Sequence, residues 1–198
     1  MKMFESVLDF LSIHYAIDGN RIILNYTENG YEAIADFKHF RNGNIEGVFT
    51  NSDKGIKKEC FFFDSVLNAI CFFRTHPFLL NVHALVVVTG DKLNRSFFIK
   101  IQKTYKTILK YYFCSSNTLT GKILTIQSIL FLSGIEEVFI SKDKEDNLYI
   151  MYDDRMIELR ISNITNPRIK SFNHSKIHLE IKTPPKNMNE FKNIFKYK

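Results

Sequence analysis

The sequence predicts an α/β protein, with a largely parallel sheet flanked by helices and an antiparallel β meander ahead of it. Three observations predict this. From Glu59 onward, short apolar runs alternate with amphipathic stretches, the pattern of βαβ units whose crossovers return the chain to a parallel strand. The run Cys60-Phe61-Phe62-Phe63 is apolar throughout rather than alternating, as a strand buried on both faces requires. Before residue 59 the period is two, and the segments are punctuated by Asn29-Gly30 and Asn42-Gly43, dipeptides suited to tight hairpin turns.

In chain order, residues 4–17 place Phe4, Val7, Leu8, Leu11 and Tyr15 at helical spacing, with Glu5 and Asp9 near the start. A short amphipathic helix ending at Asp18-Gly19 is expected. Strands at 21–26, 31–37 and 45–50 then form an antiparallel meander of three. Residues 51–58 are polar, with Gly55 and three lysines, and lead out of it. The organisation expected is therefore an appendage of helix and meander over 1–58 and an α/β domain over 59–198. In that domain the strand ending at Phe63 feeds a helix over 66–73, closed by Pro77. A strand over 84–89 ends at Gly90, and Asn94 or Ser96 caps a helix running to about Leu109. A third strand covers 111–114, and a third helix covers 119–132 with Gly134 just past its end. Strands at 137–140, 148–152, 156–161 and 177–181 and a short helix over 187–195 complete the chain.

Composition bounds the function. At 198 residues, 45% hydrophobic and 24% charged, the chain can close one ordinary core and is neither disordered nor fibrous. No apolar run approaches the roughly 18 residues that a membrane-spanning helix needs, and Glu5 and Asp9 interrupt the start where a signal peptide is apolar. A soluble, cytoplasmic protein is expected. Cys60, Cys71 and Cys114 are odd in number, lack a C-x-x-C pair and sit in apolar runs, so buried thiols are expected rather than disulfides or zinc ligands. The 27 Lys+Arg against 21 Asp+Glu leave a net charge of +6, which permits a polyanionic partner without requiring one. The 19 Phe and 9 Tyr are spread through the expected strands and helices and are assigned to the core rather than to a base-stacking platform.

Two strand ends carry the most informative residues. Phe61-Phe62-Phe63-Asp64-Ser65-Val66-Leu67-Asn68-Ala69-Ile70 closes a buried strand and opens a helix. Tyr111-Tyr112-Phe113-Cys114-Ser115-Ser116-Asn117-Thr118-Leu119-Thr120-Gly121-Lys122 repeats that arrangement, with the strand ending at Gly90 between them. The first segment resembles the opening motif of Toprim-like domains, a strand ending in glutamate before a helix reading Glu-Ser-x-Ile-Asp-Ala-Leu-Ser. The second is similar to their Asp-Asn-Asp-x-Ala-Gly-Lys motif. Pro184-Pro185-Lys186-Asn187-Met188-Asn189-Glu190-Phe191 resembles the Lys-Asp-x-Asn segment that closes many such chains from mobile elements and primase-related proteins. The resemblance covers residues 59–134 and the tail.

It implies a Toprim-like sheet in a nucleic-acid setting, and it implies an abandoned metal site. Active members use carboxylates to hold magnesium, a hard ion that stabilises phosphoryl transfer. Here Asp64 stands at the glutamate position, Ser116 and Thr118 at the two aspartates, and Asn187 at the late aspartate. One acid of four remains, so the expectation is no catalysis, no bound metal and no cofactor. An active enzyme would need Asp64 to cooperate with Asp91, Asp143 or another acid brought near by folding.

Lys100, Lys103, Lys106 and Lys110 are expected on one face of the helix beginning near Ser96, opposite Phe97, Ile101, Tyr105 and Ile108. Such a row suits contact with a DNA or RNA backbone and equally suits an ordinary solvated face. The lysine-rich tail could extend it. His174 and His178 are four apart but precede a strand, where they would not share a face, so no metal is assigned to them. Asp143, Glu145, Asp146, Asp153 and Asp154 read as hairpin turns. The sequence thus points to a catalytically inactive nucleic-acid-binding module linked to a primase or mobile-element protein. The alternative is a scaffold for a protein partner.

Overall fold

The computed structural model describes residues 7–19, 21–26, 30–35, 38–43, 47–50, 56–81, 83–90, 93–175, 177–185 and 188–191. Among the described residues the fold is mixed α/β with three sheets. After a helical turn at 7–10, strands β1 (Tyr15–Asp18), β2 (Arg21–Asn25), β3 (Tyr31–Ala35) and β4 (Lys38–Asn42) form an antiparallel meander. β5 (Gly47–Thr50) and β6 (Glu59–Phe63) enter the central sheet, followed by helix α1 (Val66–Thr75), β7 (Ala84–Val88), α2 (Arg95–Thr104), β8 (Lys110–Phe113) and α3 (Leu119–Leu132). A small antiparallel sheet of β9 (Phe139–Lys142), β10 (Asn147–Tyr152) and β11 (Arg155–Arg160) comes next, then α4 (Asn166–Lys170) and β12 (Leu179–Ile181).

The central sheet has the order β12-β8-β6-β7-β5, parallel except for β5, which runs antiparallel to β7. β6 lies at its centre, which is why its sequence has no polar face. Phe61 and Phe63 turn with Val86, Val88, Tyr112 and Cys114 toward one side, where α1 and the meander's Ile22 and Leu24 pack with Leu8 and Leu11. Cys60, Phe62, Leu85, Val87 and Phe113 face the other, against α2, α3 and the small sheet. Aromatic stacking continues through the sheet: Phe61 lies 4.4 Å from Tyr112, and Phe62 lies 5.3 Å from Phe98 and 5.2 Å from Phe113 between ring centroids. The three cysteines are buried free thiols, and burial pushes the Cys60 and Cys114 thiols up, away from reactive thiolate.

Local sequence explains most boundaries. Ser65, Asn94 and Thr118 cap α1, α2 and α3 by accepting from the backbone N–H of Asn68, Ser96 and Gly121 at 3.1, 3.0 and 3.1 Å. Asp153 and Asp154, with φ of 47° and 58°, make the two-residue turn between β10 and β11, and Asp143 ties the β9–β10 turn by accepting from the N–H of Glu145 and Asn147 at 2.8 Å each.

Several expectations are corrected. The helix expected over 4–17 is helical only at 7–10 among the described residues, because Ser12 takes φ 53° and residues 15–18 pair with β2 instead. The meander has four strands rather than three: 38–42 is a strand, and 47–50 leaves the meander to pair with β7. α2 stops at Thr104, not near Leu109. The Tyr105 N–H closes the last turn on Ile101 O at 2.8 Å, and the next residues are drawn to the sheet, where Thr107 Oγ1 donates to Lys57 O at 2.8 Å and Leu109 N to Lys58 O at 2.8 Å. β9 starts two residues later than expected. The closing helix over 187–195 falls largely outside the described residues, and 188–190 is not helical.

Candidate functional site

β6 and β8 are adjacent and parallel, with Phe62 opposite Phe113 and Cys114 N donating to Phe62 O at 2.9 Å. Their carboxyl ends therefore lie at the same edge of the sheet, where α/β folds bind ligands. Asp64 follows β6 and is buried, its Oδ1 accepting from Asn68 Nδ2 at 2.6 Å. Ser116 and Thr118 follow β8 and meet directly, Oγ to Oγ1 at 2.7 Å, while Thr118 also caps α3. Thr125 Oγ1 donates to Gly121 O at 2.8 Å, and Asn117 N donates to Asn189 O at 2.6 Å, which draws the tail segment against this loop. Asn187 lies outside the described residues.

These groups do not fit a magnesium ion. Two of the three described positions are neutral hydroxyls bonded to each other, and the single carboxylate is engaged by a carboxamide, so the negative charge that a hard divalent ion requires is missing. Asp143 does not join them, since both its oxygens hold its own hairpin, the second accepting from Asn147 Nδ2 at 3.0 Å and Tyr149 OH at 3.1 Å. Asp91 lies outside the described residues. Among the described residues, no three His, Cys, Asp or Glu side chains group as metal ligands. His174 instead meets Tyr152 OH through Nε2 at 3.0 Å.

The sequence did not single out the most buried acid of this edge. Glu32, on β3 of the meander, is fully buried at the start of α1. Its Oε1 accepts from Val66 N at 2.9 Å and Oε2 from Leu67 N at 3.4 Å, and Tyr26 OH donates to it. The positive end of α1 is thus filled from within the chain. Burial and the Glu32 carboxylate hold the Tyr26 hydroxyl far above its ordinary pKa. A signal existed in the strand's alternation: Glu32 is two residues from Ile34, on the same face, and that face turns to the core.

The basic row is also reorganised. Lys100 and Lys103 lie on α2, but Lys106 is in the turn beyond it and Lys110 opens β8. The helix ends too early to carry four lysines. Lys110 is bound to Glu180 on β12, and Lys182 Nζ lies 2.8 Å from the other oxygen of that carboxylate, so neither lysine is free for a phosphate. Hydrogen bonds from the two ammonium groups hold Glu180 down to about 2 from an ordinary value of 4.5. Because the folded value lies below the unfolded one, this interaction contributes fully above about pH 4.5 and is lost as the pH falls toward 2. Glu180→Gln is expected to flatten the pH dependence of the unfolding midpoint between those values, as read by urea titrations at stepped pH, and to leave the dependence near neutrality unchanged.

Protein-family models and curated proteins give no match to this chain. Among the described residues, no helix is long and apolar enough to cross a membrane.

Proposed function

We propose that the chain is a catalytically inactive Toprim-like module that binds nucleic acid, acting beside a primase or another protein of a mobile element. The observation that carries the reading is the chemistry at the carboxyl ends of β6 and β8. Asp64, Ser116 and Thr118 stand at two neighbouring strand ends, in the order the motif resemblance requires, yet they supply one engaged carboxylate and a pair of hydroxyls. An α/β frame that keeps the motif order while most of its acids are replaced can bind a polyanion without cutting it. Lys100, Lys103 and Lys106 are exposed and supply the counter-charge.

Three lysines contacting phosphates displace counterions, so binding should be insensitive to sequence and should weaken by about 20- to 40-fold between 50 and 200 mM salt. Titration of labelled oligonucleotides at the two salt concentrations checks this, and replacing the three lysines with glutamine should remove most of the salt dependence. Absence of binding at the lower concentration overturns the reading. Magnesium-dependent nicking that disappears in Asp64→Ala overturns its inactive half.

One observation favours the second reading, a protein-interaction scaffold. On the small sheet, Met151 pairs across the strands with both Phe139 and Met156, and the row is exposed, Phe139 at 59% and Met156 at 67%. Glu136, Glu137, Asp153 and Asp154 border it, with Arg155 as the one cation among the described lining residues. An exposed apolar row with an acidic rim suits a protein surface better than a phosphate backbone.

A further inference from the structure

On the outer face of the meander, aromatic rings stand in solvent beside a cation. β2, β3 and β4 present Arg21, Ile23, Asn25, Tyr31, Ala33 and Phe40 on the side away from the core. Phe40 is 53% exposed and Tyr31 38%, although the sequence assigned such rings to the core. Phe40 stands directly opposite Ala33, whose small side chain leaves the ring face open, and Tyr31 is its diagonal neighbour, a separation of about 7–8 Å.

Asn25 belongs both to this face and to an adjoining groove of about 480 Å³. That groove runs along β5, the edge strand of the central sheet, between the meander and α2. Phe97, Lys100, Ile101 and Thr104 enter it from one stripe of α2, at the i, i+3, i+4, i+7 spacing, with the exposed His14 on the opposite wall. Among the described residues, neither lining contains a carboxylate. Asp18, opposite Arg21 in the β1–β2 pair, is the one acid in register on that face among the described residues. The surface is therefore a strip of stacking rings, Tyr31 and Phe40, continuing to Phe97, with Arg21 at one end and Lys100 at the other.

Resting on the nucleic-acid reading above, we infer that this strip holds single-stranded nucleic acid, bases on Tyr31, Phe40 and Phe97 and phosphates near Arg21 and Lys100. Rings exposed on a sheet stack unpaired bases whatever their sequence, whereas a duplex keeps its bases stacked within itself and offers these rings nothing. Cations supply the salt-dependent part and the rings the salt-independent part.

The test is fluorescence anisotropy with a labelled oligo-dT of about a dozen nucleotides and with a duplex of the same length, each at two salt concentrations. Single strand is expected to bind more tightly than duplex. Tyr31→Ala and Phe40→Ala, both at exposed positions, should each weaken the single strand by about tenfold while leaving duplex binding and the salt slope unchanged. Phe40→Trp should retain affinity, and Arg21→Gln with Lys100→Gln should lower the salt slope. Unchanged duplex binding and an unchanged melting temperature certify that each variant is folded. Equal affinity for duplex and single strand, indifference to the ring substitutions, or full displacement of oligo-dT by an oligoglutamate peptide of equal charge overturns the inference and leaves the broader reading standing. Failure of both nucleic acids to bind at low salt overturns the two together.

Discussion

Replacing Glu32 with alanine is expected to destabilise the fold by about 3 kcal/mol or more, because the change strands buried donors on two separate elements. Val66 N and Leu67 N have no carbonyl one turn back within α1 and depend on this carboxylate, and Tyr26 OH loses its acceptor. Each buried donor left unmade costs about 1–3 kcal/mol, and loss of the anion at the helix start adds about 0.3–1 kcal/mol. Tyr26→Phe, which removes one donor together with its need for an acceptor, should cost only about 1 kcal/mol. Glu32→Gln keeps a carbonyl for the helix and should fall between the two. Urea unfolding of the three variants checks the order. A Glu32→Ala midpoint no lower than that of Tyr26→Phe would show that the carboxylate does not hold α1. The bond spans 34 residues and joins the meander to the first crossover helix, so its loss should also loosen the packing of Ile22 and Leu24 on the sheet.

That contact shows where the sequence was legible and where it was not. β6, β7 and β8 could be read because strands buried on both faces leave a continuous apolar run, and α3 because Gly134 marks its end within the same stretch of chain. The strand ends carrying Asp64, Ser116 and Thr118 followed from those elements. What failed depended on partners distant in sequence. The pairing of β5 with β7 joins residues 47–50 to 85–88, and no local period indicates which sheet an alternating strand will enter. The early end of α2 is imposed by Lys57 and Lys58. The basic row failed with it, since four lysines at helical spacing share a face only while the helix lasts. Glu32 needed knowledge of which helix would start beneath β3. Its place on the core-facing side of an alternating strand was the available warning that an acid there must find donors.

Gly121→Ala carries the second large effect, and it separates packing from propensity at the motif loop. Within a helix, alanine in place of glycine gains about 1 kcal/mol. Here the added Cβ would collide with the Ser116 carbonyl oxygen and stand 2.5 Å from Ser116 Oγ. The hydroxyl could rotate away; the carbonyl is backbone and cannot. To relieve the contact, the loop after β8 must retreat from α3, which disturbs the Ser116–Thr118 hydroxyl pair, the Thr118 cap on Gly121 N and the Asn117 N–H bond to Asn189. Overpacking of this kind costs about 1–3 kcal/mol, and the lost cap adds about 1 kcal/mol, so the clash outweighs the propensity and a net loss of about 2 kcal/mol is expected. Combining it with Ser116→Ala should not restore stability, because the carbonyl contact persists. Chemical denaturation of the single and double variants decides the matter. If Gly121→Ala instead stabilises the protein, helix propensity governs this position and the close approach of α3 to the loop after β8 is not what excludes a side chain.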